Sequence, residues 1–286
     1  MLPYVYFPRG AVSLNRDVFG PNPAATPMQA GARRFAAPMP GNIQAMRMRA
    51  AGDGDEPYKV HGDVEGRQHR FEPYSFNGGS SVAVAGDDFV VVAADTRLAE
   101  GYSILSRHVN RCLQLTPKCL IASGGCWADI RTLHKRLRIR ATMYQHRHGE
   151  DMSVVGAAQL LSNTLYFKRF FPYYAFNVVA GLDREGKGAM FNYDAVGSYQ
   201  RVVDAYGANG NAAKLIMPVL DNLFGGAGVS SGLAVKPKYN KEQVVEIIKD
   251  CFITAGERDI MCGDAVDIYV MTKDGTTHEQ FKLKAD

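Results

Sequence analysis

Asn77-Gly78-Gly79-Ser80-Ser81-Val82-Ala83-Val84-Ala85-Gly86-Asp87-Asp88-Phe89-Val90-Val91-Val92-Ala93-Ala94-Asp95 is the stretch on which the fold turns. Two apolar runs, 82–85 and 89–94, flank Gly86-Asp87-Asp88. Val-rich runs with a short Gly/Asp break between them predict a buried β-hairpin. Val90-Val91-Val92 has no polar alternation, so that strand is expected to be covered on both faces. A Gly-Gly-Ser-Ser start precedes the hairpin, and Asp95 closes it within Ala93-Ala94-Asp95-Thr96-Arg97.

Downstream, residues 101–111 read as loop or short strand, and 119–123 as a third apolar strand running into Gly124-Gly125. The period then changes. Trp127, Ile130, Leu133, Leu137 and Tyr144 recur at helical spacing, which predicts an amphipathic helix. Ser153 is the expected N-cap of a second helix carrying Val154, Val155, Ala158, Leu161 and Leu165,. Strands are expected over 174–182, 189–193 and 198–205, and Gly207-Ala208-Asn209-Gly210 reads as a break,. Helical pattern returns over 211–223 with Pro218 as a kink. After a glycine-rich loop, 225–232, it resumes behind Asn240 as N-cap. The segments 265–271 and 279–283 make a closing hairpin about Lys273-Asp274-Gly275. Short strand connections argue for antiparallel pairing, and the helices come in consecutive pairs. Two face-to-face sheets, each covered outside by one helix pair, would satisfy every apolar face. The expected class is α+β, a four-layer αββα sandwich.

Upstream the composition is different. Residues 1–69 hold eight of the thirteen prolines and show no sustained period. Such sequence cannot bury enough surface to offset chain entropy, so a disordered or propeptide-like extension is expected, with the folded part spanning 70–286. The first fifty residues carry six arginines against one acid, Asp17. Arg-rich, acid-poor termini can be transit peptides, but the prolines at 3, 8, 21, 23, 27, 38 and 40 interrupt the helix such a signal needs,. A tail or pro-segment is the better reading. A net charge of +4 among 286 residues does not argue for nucleic acid,. Cys112, Cys119, Cys126, Cys251 and Cys262 form no C-x-x-C pair and read as reduced core thiols of a cytosolic or nuclear protein. No apolar run approaches the roughly 18 residues of a membrane span.

Several candidate sites have plainer readings. Arg131, Lys135, Arg136, Arg138, Arg140 and Arg147 could bind phosphate, but opposite an apolar stripe they read as a solvated face or a subunit contact. His146-x-His148 lacks the further ligands of a metal site. The glycine pairs 124–125, 225–226 and 207/210 match no phosphate-loop spacing, and turn duty explains them.

Gly78-Gly79-Ser80-Ser81, the hairpin, Ala93-Ala94-Asp95-Thr96-Arg97, Gly101 and Ser123-Gly124-Gly125-x-x-Ala128-Asp129 together resemble the proteasome beta subunits. The likeness covers about 70–286 and includes Arg258-Asp259-Ile260-Met261-Cys262-Gly263. Arg70-Phe71-x-Pro73-Tyr74-x-Phe76-Asn77-Gly78-Gly79, Arg169-Phe170-Phe171-Pro172-Tyr173-Tyr174, Gly181-Leu182-Asp183-x-Glu185-Gly186-Lys187-Gly188 and Val196-Gly197-Ser198-Tyr199-Gln200-Arg201 resemble one non-catalytic branch of that family. The family's fold, that of the N-terminal nucleophile hydrolases, is the same αββα sandwich.

Active members resemble one another in a self-cleaved N-terminal Thr whose hydroxyl attacks the peptide carbonyl while its freed amine acts as base. An Asp and a Lys orient and activate it, and a Gly N–H helps hold the oxyanion. Matched without gaps, the Asp falls on Asp95, the oxyanion glycine on Gly125 and a supporting Asp on Asp259. The Thr falls on Gly79, the Lys on Arg111 and a usual Ser on Cys262, while the Ser-bearing loop becomes Gly207-Ala208-Asn209-Gly210. Glycine offers no nucleophile, and arginine, with a pKa above about 12, releases no proton at neutral pH. The resemblance therefore implies a degenerate, non-catalytic site at Gly79, Asp95, Arg111, Gly125, Asp259 and Cys262, no enzyme and no cofactor or metal. The alternative is an active hydrolase cut before Ser80, but a one-residue slip turns that side chain to the opposite face.

The resemblance further implies other beta and alpha subunits as partners in stacked seven-membered rings, in cytoplasm and nucleus, with ubiquitin-dependent substrate polypeptides in the chamber. It implies neither nucleic acid nor membrane as a partner. Trimming of the extension would occur near Arg70 by a neighbouring active subunit. Asp194, after a strand, is the candidate contributor to a neighbour's chymotrypsin-like substrate pocket.

Overall fold

A computed structural model describes residues 73–202, 206–226 and 238–285. The expected extension 1–69, residues 70–72, the end of the 198–205 strand and most of the 225–232 loop lie outside the described residues.

The quoted stretch forms β1 (Ser80–Ala85) and β2 (Phe89–Asp95), paired antiparallel with Val82 opposite Ala93. Every residue of both strands is buried. The faces alternate as a period of two requires. Val82, Val84, Val91 and Ala93 pack toward helices, while Ala83, Ala85, Val90, Val92 and Ala94 pack toward a second sheet. The first sheet has the order β10-β1-β2-β11-β12, with β10 at Tyr206–Gly210, β11 at Ala265–Thr272 and β12 at Gly275–Lys282. The second is β5-β6-β7-β8-β9: Cys112–Thr116, Cys119–Gly125, Ala175–Leu182, Gly188–Tyr193 and Tyr199–Arg201. A small ribbon, β3 (Leu98–Glu100) with β4 (Ser103–Ser106), follows β2.

The helices are α1 (Trp127–His148), α2 (Val154–Tyr166), α3 (Ala213–Leu220) and α4 (Lys241–Gly256). Ile130, Leu133, Leu137 and Leu161 seal the outer face of the second sheet, and Ile216, Ile248 and Phe252 that of the first. Leu120, Ala122, Val178 and Ala180 meet the β1–β2 side chains between the sheets. This is the four-layer αββα sandwich. Ser153 caps α2 by accepting from Gly156 N–H, and Asn240 with Gln243 forms a full capping box on α4,.

Five expectations are corrected. Gly207-Ala208-Asn209-Gly210 is no break: it is most of β10, paired with β1 so that Gly210 lies opposite Ser80. The glycines there serve close packing, since a Cβ on Gly210 would sit 2.0 Å from Gly79 C=O. Gly124-Gly125 likewise ends β6 and makes no turn. The 211–223 helix ends at Leu220 and passes into a π-helical turn, Asp221–Gly226. Pro218 removes one N–H from the ladder, and the chain widens after it,. Finally, β5 stands where the sequence shows no strand signal, and β12 begins four residues earlier than expected. β12 is an edge strand, mostly exposed, so it carries no apolar signature.

Candidate functional site

The site assembles where β1 begins, between the ends of β6 and β10. Asn77 is its anchor. Its side-chain oxygen accepts from Trp127 N–H at 3.0 Å, satisfying an orphan donor of α1 that Cys126 does not cap,. Its amide nitrogen donates to Ala99 C=O at 3.3 Å, and its own N–H donates to Gly125 C=O at 3.2 Å. The next residues are clamped in the same way. Gly125 N–H donates to Gly78 C=O at 2.9 Å, and Asn211 N–H to Gly79 C=O at 3.1 Å. Residues 77–80 are all buried.

This geometry decides what Gly125 can do. The amide that resemblance assigns to an oxyanion already holds the carbonyl of the chain's own Gly78. No reacting carbonyl can reach it while residue 78 stays in place.

Gly79 has φ +95°, a conformation L side chains rarely adopt,. A Cβ there would lie 2.6 Å from Arg111 Nη1 and 2.7 Å from its Cζ. The space beside residue 79 is therefore filled by the Arg111 guanidinium. Arg111 is almost wholly buried, 1% exposed, and donates to Asn77 C=O at 3.0 Å and Arg97 C=O at 2.5 Å. Its Nε stands 3.4 Å from Asp95 Oδ1, which also accepts from Ser80 N–H at 2.9 Å. Burial pushes the Asp95 carboxyl up, to about 7, against the opposing pull of Arg111 and the Ser80 amide. Burial likewise draws Arg111 down, and the Asp95 charge pushes it back. The pair is a buried contact between two groups that both lose hydration, an arrangement in which desolvation rivals the Coulomb gain.

Asp259 and Cys262 close the far side. Asp259 accepts from Asn211 Nδ2 at 2.7 and 2.8 Å and from Met261 N–H at 3.0 Å. Burial, with the charges of Asp95 and Asp259, raises the Cys262 thiol well above its ordinary value, so it is no thiolate nucleophile,. The Ser80 hydroxyl accepts from Ala212 N–H at 3.0 Å and is fully buried, on the same face of β1 as Val82 and Val84. The structure thus brings Gly79, Asp95, Arg111, Gly125, Asp259 and Cys262 to one place. Asp194 lies apart, exposed in the β8–β9 turn, where its Oδ1 accepts from Val196 and Ser198 N–H. His146 and His148 are exposed in the last turn of α1. No group of three or more potential metal ligands comes together among the described residues.

Three residues escaped sequence reasoning: Asn77 as a helix cap, Asn211 as the partner of Asp259, and Asp264. The Asp264 carboxylate takes Arg97 Nε at 2.8 Å and Nη2 at 3.3 Å, and also Arg107 Nη1. Arg97 further donates to Ile260 C=O at 2.9 Å, so it staples the 259–264 segment under β2. No local signal could have paired residues 167 positions apart.

The family model described as "Proteasome subunit" matches residues 75–271. A proteasome subunit beta type-1 from Oryza sativa subsp. japonica is 51% identical over 74% of this chain and 96% of its own length. The Arabidopsis thaliana protein of the same description is 48% identical over 77% and 99%. A Saccharomyces cerevisiae relative, described as proteasome subunit beta type-6, is 40% identical over 77% and 93%.

Proposed function

The chain belongs to the proteasome subunit family, and we propose that within a proteasome core particle it is a non-catalytic beta subunit. It fills one place in a seven-membered beta ring, contacts beta and alpha neighbours, and walls the chamber in which ubiquitin-directed substrates are cut. Its place of work is the cytoplasm and nucleus. The observation that carries this reading is the continuous, buried backbone through Gly78-Gly79-Ser80. It supplies no side-chain nucleophile at residue 79 and fills the Gly125 amide with Gly78 C=O.

An N-terminal hydrolase needs a freed amine next to a hydroxyl. Cleavage before Ser80 would supply both. The Ser80 side chain is not turned away from the site as the one-residue slip predicts: it lies on the Asp95 face of the sheet and bonds Cys262. It is fully buried, and its hydroxyl already accepts from Ala212 N–H at 3.0 Å. Trimming of the extension falls upstream of the clamped segment, near Arg70, and is carried out by an active neighbour. The intact mass of the chain isolated from its complex tests this. The expected species keeps residues 77–79, whereas a species starting at Ser80 would sink the reading.

Asp194 is proposed to reach a neighbouring subunit's substrate pocket. Its exposure supports this, because only one of its oxygens is needed to hold the turn. Asp194→Ala is expected to alter cleavage after apolar residues by a few-fold in the assembled particle while leaving other cleavage rates unchanged. Identical peptide profiles for the two particles would remove Asp194 from the pocket.

A further inference from the structure

The loop between α2 and β7 holds aromatic rings out into solvent on a fixed backbone. Phe170 is 100% exposed and Phe171 50%. Lys168 N–H donates to Leu165 C=O, Arg169 N–H to Tyr166 C=O and Phe171 N–H to Lys168 C=O, each at 3.0 Å. The entering chain is tied to the same loop. The Tyr74 hydroxyl donates to Pro172 C=O at 2.6 Å, and its ring stacks on Phe171 with centroids 5.6 Å apart. From Tyr74 a ladder of rings continues through Tyr174 to Phe76 and Phe176. Rings already fixed in place lose little entropy when something docks on them.

Two cations rim the ladder. Lys168 Nζ lies 5.7 Å from the centre of the Phe171 ring and 4.8 Å from that of Tyr173, and the exposed Arg169 follows it. Among the described residues neither cation pairs with a carboxylate. An apolar patch rimmed by one sign of charge selects a ligand with rings beside carboxylates. The chain's own sequence holds one close by. The first fifty residues carry a single acid, Asp17, but Asp53-Gly54-Asp55-Glu56-Pro57-Tyr58 sets acids directly beside Pro and Tyr. Pro57 confines Glu56 to extended conformations, so the segment has less freedom to lose. The tether from there, residues 59–73, spans about 20 Å if flexible, and it re-enters the fold at Tyr74, a rung of the ladder. Contact is therefore intramolecular, at an effective concentration of about 1 mM.

We infer that the segment 53–58, which lies outside the described residues, folds back onto this ladder. Pro57 and Tyr58 then lie against Phe170 and Phe171, and the carboxylates of Asp53, Asp55 and Glu56 against Lys168 and Arg169. Charge complementarity selects this occupant. The Arg-rich residues 1–50 would set like charge against Lys168 and Arg169, and a second copy of the patch would set those two cations against themselves. The strap covers the rings while the extension stays attached, and trimming near Arg70 removes it and leaves them bare. The inference is independent of whether the Gly79 site is catalytic.

The test uses the full-length, untrimmed chain with a photo-crosslinking amino acid at Phe170. The expected product joins position 170 to a peptide containing residues 53–58, and mass spectrometry of mixed light- and heavy-isotope chains should show both ends in one molecule. Asp53→Lys, Asp55→Lys and Glu56→Lys together are expected to cut the yield about tenfold. Adding Lys168→Glu and Arg169→Glu to that variant should restore it. Tyr58→Ala, which leaves every charge in place, should lower the yield as well. The substitutions at 53–58 touch none of the described elements, and Trp127 fluorescence should report an unchanged fold for the pair at 168 and 169. A crosslink to a second copy, to another chain, to nucleic acid, to a different segment of this chain, or to nothing would overturn the inference. So would a yield indifferent to the charge swap.

Discussion

Replacing Gly79 with Thr, the side chain an active site would need, is expected to destabilise the chain by about 3 kcal/mol and create no peptidase. Two costs combine. A β-branched residue would have to adopt φ +95°, and its Cβ would enter the Arg111 guanidinium at 2.6–2.9 Å. Arg111 cannot swing aside cheaply, since moving it breaks its bonds to the Asn77 and Arg97 carbonyls and its contact with Asp95. Gly79→Thr with Arg111→Lys should therefore be less destabilised than Gly79→Thr alone, a coupling of about 1 kcal/mol or more in a double-mutant cycle. Trp127, the single tryptophan, reports directly, because the Arg111 guanidinium lies 5.8 Å over its ring. Urea unfolding followed by that fluorescence gives the cycle. Even the double variant should remain inactive while Gly78 C=O occupies the Gly125 amide. Equal midpoints for wild type and Gly79→Thr would show that Arg111 does not fill the nucleophile's place.

How far such a site could be read from sequence follows from the range of each interaction. The β1–β2 hairpin was legible because Val-rich runs bury both faces, which leaves a continuous apolar signal,. The helices α1, α2 and α4 were legible through their period and, in α2 and α4, their caps at Ser153 and Asn240. β5 was not, because it follows a buried arginine and interrupts its apolar residues with Gln114. β10 was misread because glycine signals a turn locally, whereas here it admits the Gly79 carbonyl from a strand about 130 residues upstream,. The resemblance to proteasome beta subunits named the residues of the candidate site. It gave no hint that Arg111 and Gly79 share one volume, or that Gly78 C=O occupies the Gly125 amide. Those facts depend on side-chain and backbone positions across two sheets.

Away from residue 79 the largest effect is expected at Asp264. Asp264→Ala should cost about 3–5 kcal/mol, because it leaves the Arg97 guanidinium buried without its counter-charge. Both side chains are only 4% exposed. Burial pushes the Asp264 carboxyl up, but the hydrogen bonds and charges of Arg97 and Arg107 outweigh it and hold it below the usual range. The ion pair is therefore at full strength at neutral pH and is lost only in acid, as the folded carboxylate takes up its proton. Asp264 also sits at φ +65°, which Asp tolerates better than Ala,. Asp264→Asn keeps the conformation and one acceptor and should cost less than Asp264→Ala, while Arg107→Ala, removing a half-exposed partner, should cost about 1 kcal/mol or less,. Urea midpoints ordered Ala, Asn, then Arg107→Ala, from most to least destabilised, would bear this out. An Asp264→Ala midpoint near wild type would show that the staple is dispensable. Arg97, in Ala93-Ala94-Asp95-Thr96-Arg97, then has a purely structural role, fastening the segment that carries Asp259 and Cys262 beneath β2. The staple thus gives Arg97, Asp259 and Cys262 a packing role that requires no catalysis.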